Sequence, residues 1–460
     1  MIVVLGGGPA GRTAAVRLAT AGKKVTLVEP RGRSRGIGGQ CLHFGCMPVC
    51  ALNDVARIIS SVRRFHEQGM IDAVPKLYFS NVMEETFAVQ QKIAGILDNE
   101  TVTAGVDVVY GKEGRVDGSR IFIGDEPVDA EAVIIATGSR PNIPDIPGVG
   151  LPGVYTPHTL WGLRELPKNL VIVGGSVMAA EFAYIFKAFG SEVTVLSRSG
   201  FLKNYDRHLR AVAIKELAGV DIREGAAVTQ IEGATCVTGV RYSAGGADAT
   251  VNTGAVLLAA GLVPNTGMIS GIKKGSAGEI EVDRRMQTSV PGVYACGDAA
   301  GAPFLTPVAR HEGIVAADNI LGKVRHMDYS RIPQALYLAH DLASCGAGGE
   351  GIAALAIPGP AGPGTFWSVP YGDTGVAKVF ADPASGEITG VCAGGPAGGV
   401  IAAYLSFLMQ RHISVHDFED FIEVHPSSDG VYGLAKYTSE LFRKRKSSCS
   451  IPKSFDNKRK

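Results

Sequence analysis

One pattern of apolar and polar positions occurs twice along the chain. In its first copy an unbroken apolar run, Ile2 to Leu5, leads into Gly6-Gly7-Gly8-Pro9-Ala10-Gly11. A segment with Ala14, Ala15, Val16, Leu18 and Ala19 on one helical side follows, closed by Gly22. A second apolar run, Lys24 to Val28, then ends in Glu29. The second copy runs from Leu170 to Val173 into Gly174-Gly175-Ser176-Val177-Met178-Ala179. It continues through a helix ending at Phe189-Gly190 and a strand, Glu192 to Leu196, and ends in Ser197-Arg198. Short continuous apolar runs bounded by glycine predict strands buried on both faces, and a helix between two of them predicts a parallel β-α-β crossover. The pattern changes near the C-terminus. There, strands at Val376 to Phe380 and Ile388 to Val391 bracket the turn Asp382 to Gly386, and a helix runs from Val400 to Arg411. The predicted fold class is α/β, with two Rossmann-like dinucleotide-binding domains and a C-terminal α+β domain.

The glycine spacing gives both units a chemistry. Gly6 permits a tight turn, Gly8 lets backbone approach a pyrophosphate, and Gly11 lets helix and strand pack closely. The N–H groups at the helix start then face the phosphates, and Glu29 is placed to bind a ribose. In the second unit Gly174 is kept, while Ser176 and Ala179 replace the later glycines with small residues. Its second strand lacks the terminal acid. Ser197 and Arg198 stand there instead, and a cation at that place suits a 2′-phosphate, so NADPH is expected over NADH. Two such sites in one chain predict a resident FAD and a visiting nicotinamide.

Domain boundaries follow from the punctuation. Pro141, Pro144 and Pro147 mark a crossing, so the FAD domain is assigned to residues 1–146 and 266–325. The nicotinamide domain takes 147–265 and an interface domain 326–460. Residues 346–364, rich in Gly, Ala and Pro, read as a loop or edge excursion. With 460 residues and a net charge of +1, nothing favours nucleic acid or a membrane surface as partner. A charged tail, Arg443 to Lys446 and then Lys453, Lys458, Arg459 and Lys460, reads as a solvated end. No long apolar run predicts a membrane span and no leader precedes the first strand, so a cytoplasmic protein is expected. Of eight cysteines, Cys41, Cys46 and Cys50 cluster; Cys236, Cys296, Cys345 and Cys392 read as small buried hydrophobes.

The cluster lies in Gly38-Gly39-Gln40-Cys41-Leu42-His43-Phe44-Gly45-Cys46-Met47-Pro48-Val49-Cys50. A C-x4-C pair without a second pair is a poor zinc site, which leaves a redox pair or two inert thiols. No metal site is expected. The segment resembles the redox signature of the class I flavoprotein disulfide reductases (dihydrolipoamide dehydrogenase, glutathione reductase, mercuric reductase), G-G-T-C-x-x-x-G-C-x-P-S-K. Three further stretches resemble that family in order: Ala136-Thr137-Gly138, Gly297-Asp298 and His425-Pro426. The resemblance implies a redox disulfide between Cys41 and Cys46, with Cys46 nearest the flavin and Cys41 exchanging with substrate. It implies Asp298 at the ribityl chain, a homodimer, and His425 as acid–base to the partner's Cys41. The expected substrate is a small disulfide, lipoamide or a small redox protein. Alternatives are reduction of metal ions, quinones or oxygen, or a flavin electron-transfer subunit of a larger complex.

The chain departs from that pattern in three places. The family lysine after the second cysteine is Cys50, so Glu181, its expected ion-pair partner, loses that cation. A shifted flavin potential is expected. Cys46 and Cys50 share a face if this stretch is helical, which makes Cys50 a candidate third thiol. Gly430 stands where the family has a glutamate orienting the histidine, with Asp429 one residue earlier. The second glycine loop resembles that of mercuric reductases, yet only Cys449 stands where they carry a vicinal pair, so a dedicated mercury activity is not expected.

Overall fold

A computed structural model of the chain describes residues 1–346, 353–358, 375–425 and 430–447. The expectations for Asp429, Pro426, Cys449 and residues 448–460 lie outside the described residues. The chain divides into two compact units. The first comprises residues 1–61, 74–203 and 219–328, and the second residues 62–73, 204–218 and 329–460.

The first unit contains the predicted repeat. A five-stranded sheet runs in the order Val293–Ala295, Ala132–Ile135, Ile2–Leu5, Val25–Glu29, Val106–Tyr110. All its pairings are parallel. Ile2–Leu5, Val25–Glu29 and Ala132–Ile135 are buried along their whole length, which is why they read as unbroken apolar runs. The chain moves outward in one direction from Ile2–Leu5 and later returns to its other side with Ala132–Ile135. The crevice at the carboxyl ends of these two strands is thus a topological switch point, the place where parallel sheets bind ligands. A second five-stranded parallel sheet repeats the plan with Asp221–Glu224, Glu192–Ser197, Asn169–Val173, Ala255–Leu258 and Val154–Tyr155.

Four helices follow in the first copy, and the first three contribute to the crevice lining. Helix α1 (Pro9–Thr20) starts from Gly8, with proline at its first position, where the missing N–H costs nothing. A short α2 (Gly39–His43), then α3 (Cys46–Glu67) and α4 (Phe79–Thr103) follow. Residues 39–67 are long and apolar enough by composition to cross a membrane. In the fold this stretch is α2 and α3, and α3 buries a stripe through Leu52, Ala56 and Ile59 while presenting Asp54, Arg57 and Arg63 elsewhere. Helix α5 (Val177–Phe189) belongs to the second copy. Helix α6 (Arg207–Glu216) lies in the second unit, and α7 (Thr306–Ile320) packs along α1 in the first.

The second unit is built on a five-stranded antiparallel sheet, Gln334–Tyr337, Asp341–Gly346, Ile388–Gly395, Val376–Ala381 and Ala353–Pro358. The expected hairpin is present, and its turn is held by Asp382 Oδ1 accepting from the backbone N–H of Ala384 and Ser385. Ala353–Pro358 forms the edge of the sheet, within the stretch expected to be a loop or edge excursion. Helix α8 (Gly398–Met409) covers the expected helix two residues early, and α9 (Gly430–Ser447) closes a core with Val391, Leu405 and Phe418. Cys296, Cys345 and Cys392 are buried as expected, but Cys236 is exposed, in a turn before Gly239–Ala244 rather than in a core. A turn residue has no sheet face to bury, and the sequence around Cys236 lacks the alternation that would have shown this.

Candidate active site

The crevice of the first sheet is a cavity of about 400 Å³, and it gathers the glycine loop, Glu29, Gly39, Cys41, Cys46, Thr137, Gly138 and Asp298. Its floor requires glycine. At Gly6 (φ +105°) a Cβ would overlap the Ala136 carbonyl oxygen, and at Gly11 it would overlap the carbonyl oxygen of Gly6. Gly39 (φ +60°) lies back to back with Gly8, so that a Cβ on it would sit 2.6 Å from the Gly8 Cα. The two loops can approach so closely only because both residues lack side chains. Glu29 is 3% exposed. Its Oε2 accepts from the Gly7 N–H at 2.9 Å and its Oε1 from the Arg31 N–H at 3.1 Å. Each carboxylate oxygen keeps a lone pair for a ribose hydroxyl.

At the other end of the cavity Cys41 lies in α2 and Cys46 opens α3. Both are free thiols. A hydrogen bond from Cys41 brings the Cys46 thiol down to about 6, against burial, with help from Thr306 and its own backbone N–H. Thr306 Oγ1 lies 3.5 Å from Cys46 Sγ. The same hydrogen bond, followed by burial, pushes Cys41 far above the ordinary thiol range. The pair therefore favours its shared proton on Cys41 and negative charge on Cys46, which sits at the N-terminus of a helix.

Asp298 sits in the turn Gly297–Ala300 and accepts from the Ser139 hydroxyl. Burial raises its pKa, with the Ser139 hydrogen bond acting in opposition. The Gln40 side-chain amide lies 3.3 Å from Ser139 Oγ and 3.2 Å from His158 Nε2. The His158 ring stacks on Phe44 at 4.3 Å, and the Arg31 guanidinium lies over Phe44 on its other contact at 5.0 Å. Burial, then the Arg31 charge, lowers His158 to about 4. Gln40, Ser139, His158 and Thr306 were not among the expected site residues. Gln40 and Ser139 lie inside recognised motifs, whereas Thr306 is 260 residues from Cys46 and carries no local signal beyond a Thr-Pro helix start.

The residues fit an FAD. Paired glycines leave room that a Cβ would fill, and Thr137 Oγ1, on the cavity wall, is buried with no hydrogen-bond partner among the described residues. Gly6, Gly8 and Gly11 would take the pyrophosphate, Glu29 a ribose, and Asp298 the polyol.

The remaining expected residues are elsewhere. Gly174 (φ +148°) packs its α-carbon against the Ala259 carbonyl, Ser176 is the N-cap of α5, and Ala179 is fully buried. Ser197 is 2% exposed and fills the space beside Gly175, whereas Arg198 is exposed at the strand end. Glu181 is half-buried on α5. Cys50 is exposed on α3 one turn after Cys46, so the helical condition for a shared face is met. His425 is exposed in the second unit, and Gly430 begins α9.

Known proteins resemble the chain along most of its length. A family model described as pyridine nucleotide-disulphide oxidoreductase matches residues 1–313. Dihydrolipoyl dehydrogenase of Geobacillus stearothermophilus is 31% identical over 443 residues, 92% of this chain and 93% of that protein. The Haemophilus influenzae dihydrolipoyl dehydrogenase is 29% identical and covers 94% of each. Among solved structures, the Cu(II) complex of the HOCl-induced flavoprotein disulfide reductase RclA from Escherichia coli aligns with a TM-score of 0.81 at 26% identity, over 94% of this chain and 98% of that one. The chain belongs to the pyridine nucleotide-disulphide oxidoreductases, as an FAD-dependent disulfide reductase that uses a nicotinamide dinucleotide.

Proposed function

We propose that the chain is an NADPH-dependent homodimeric reductase whose working pair is Cys41 and Cys46, acting on a small-molecule disulfide or a small redox protein. The observation that carries this reading is that Cys41 and Cys46 line one cavity with the glycine loop, Glu29 and Asp298, with electrostatics that favour the proton on Cys41 and negative charge on Cys46. FAD, when bound, supplies the two-electron relay between nicotinamide and sulfur. The chain's own residues do the rest. Cys41 Sγ, once deprotonated, attacks one sulfur of the substrate disulfide and releases the other half as a thiolate. The Cys46 thiolate then attacks the Cys41 sulfur of the mixed disulfide, closing Cys41–Cys46 and expelling the second thiolate. Two electrons have passed to substrate, and both product thiolates take up protons.

Because Cys41 holds its proton tightly, this cycle needs a base. His425 of the partner subunit is proposed for that role, as its residue chemistry and the family resemblance suggest. The preference for NADPH is supported by Arg198, exposed just after strand Glu192–Ser197 of the second parallel sheet, where an acid would otherwise bind the ribose.

A second reading, metal-ion reduction, draws on the solved Cu(II) complexes of RclA. A thiolate beside a thiol is a soft donor pair. NADPH-dependent turnover of lipoamide, glutathione disulfide and Cu(II) should be compared in wild type, Cys41→Ser and Cys46→Ser. Under the disulfide reading both variants lose disulfide turnover, while the flavin is still reduced and the wild type takes up twice the reducing equivalents of either variant. Equal uptake in all three proteins would remove the pair from the electron path. Turnover of Cu(II) but of no disulfide would favour the metal reading.

A further inference from the structure

Beside the flavin crevice, and within the same unit, lies a second cavity of about 430 Å³. It is formed by the start of α4, the segment after Cys41 and residues 158–164. Neither the redox pair nor the glycine loops line it, and the proposed disulfide chemistry makes no use of it.

Its chemistry is lopsided. Three guanidinium groups, Arg31, Arg35 and Arg164, face one carboxylate, Glu84. Among the described residues none of the three makes an ion pair within 4.0 Å, although the Glu29 carboxylate in the flavin crevice acts electrostatically on Arg31. His43 and His158 on the same wall are neutral at pH 7, both brought down to about 4 first by burial and then by the Arg31 charge. They add no cation of their own. His43 is 8% exposed, and its Nε2 has no hydrogen-bond partner among the described residues. An unpaired buried ring nitrogen is costly unless something supplies the missing bond. The aromatic lining is equally uneven: Trp161 and Phe44 are half-buried, and Phe87 is 57% exposed at the mouth. An exposed phenylalanine beside unpaired arginines is poor packing, but it suits the face of a planar ring.

We propose that this cavity is a binding site for a nucleoside diphosphate or triphosphate, distinct from the FAD and nicotinamide sites. Guanidinium forks match phosphate oxygens two at a time, and a base stacks on tryptophan or phenylalanine whatever its identity. Arg35 and Arg164, both exposed, take the phosphates, and Trp161 and Phe87 take the base. The volume suits one small ligand and not a folded partner. Arg31 and His158 line both cavities, whereas Arg35, Arg164, Trp161 and Phe87 line only this one; His158 also touches Gln40, the residue before Cys41, so an occupant would abut the redox segment.

The test uses FAD-loaded protein with saturating NADP⁺, which blocks the nicotinamide site, and ADP as the probe in equilibrium dialysis. Saturable binding is expected, weakened at least about tenfold in Arg35→Ala and in Arg164→Ala, with FAD content and NADPH-dependent disulfide reduction retained. Inorganic pyrophosphate should bind more weakly than ADP, and Trp161→Phe should keep more of the ADP affinity than Trp161→Ala. Absence of saturable ADP binding would overturn the site. So would binding that the arginine variants leave unchanged, or that NADP⁺ abolishes. Pyrophosphate binding as tightly as ADP would reduce the cavity to an anion trap, and displacement of ADP by an acidic peptide at lower concentration than by ATP would assign it to a protein partner. Both outcomes overturn the nucleotide assignment, and neither touches the disulfide reading.

Discussion

At the scale of single residues, the chemistry rests on how one proton is shared between two sulfurs. An isolated thiol titrates near 9.0, and Cys46 is brought to about 6 chiefly by the Cys41 hydrogen bond, with Thr306 adding a second donor. The thiolate form of Cys46 therefore fills in as pH rises through about 6 and predominates at neutral pH. Replacing Thr306 by valine removes a hydroxyl but keeps the shape. The reduced pair should then ionise at higher pH, by about one unit or ~1.4 kcal/mol of thiolate stabilisation, as read by thiolate ultraviolet absorbance. An unchanged titration would mean that the Cys41 hydrogen bond and the helix N-terminus suffice.

At the scale of elements, the crevice depends on two loops approaching back to back. Gly39 follows Gly38 at the start of α2, and its left-handed φ combines with the 2.6 Å clearance to the Gly8 Cα to exclude any side chain. Gly39→Ala should push the two loops apart and cost FAD rather than folding, because Gly39 contributes no core contact. The check is the flavin-to-protein absorbance ratio after purification alongside circular dichroism: full flavin content in the variant would show that the loops can part without losing the pyrophosphate. The same residues explain why Gln40 reaches inward. The turn before α2 carries its amide to Ser139 and His158, contacts that no local pattern announces.

At the scale of the whole molecule, distant segments are tied together by buried polar pairs. In the second unit Lys378, 8% exposed, bonds Asp206 at 2.7 Å across 172 positions of chain and joins the N-terminus of α6 to the sheet. Burial pushes the Asp206 carboxyl up, but the Lys378 hydrogen bond and the backbone donors at the start of α6 outweigh it and leave the pKa below the ordinary value. A depressed carboxylate stabilises above its unfolded pKa and loses that contribution as pH falls through the folded value. Lys378→Ala should destabilise the second unit by about 3–5 kcal/mol at neutral pH, seen as a lower urea midpoint. The deficit should shrink in acid, and Lys378→Met with Asp206→Asn should recover much of it. A Lys378→Ala deficit independent of pH would point to lost packing by the lysine stem instead.

What could be read from the sequence alone was whatever local physics encodes. A strand buried on both faces must be apolar throughout, and a close backbone approach must be glycine, so Ile2–Glu29 and Leu170–Ser197 announced two dinucleotide folds, and the resemblance of residues 38–50 to a known redox signature pointed to Cys41 and Cys46. The strand hairpin at 376–395 was legible for the same reason, its turn residues standing between two apolar runs. Only the tertiary structure decided which cysteine is favoured as the thiolate, because that depends on Thr306 arriving from 260 residues away and on Cys41 lying within hydrogen-bond reach of Cys46. It alone joined Asp298, Ser139, Gln40 and His158 into one contact chain, and gathered Arg31, Arg35 and Arg164 around a cavity lined by one carboxylate, Glu84. Such arrangements are set by how the sheet crossovers bring separate loops to one edge. A single sequence carries no local periodicity that records them.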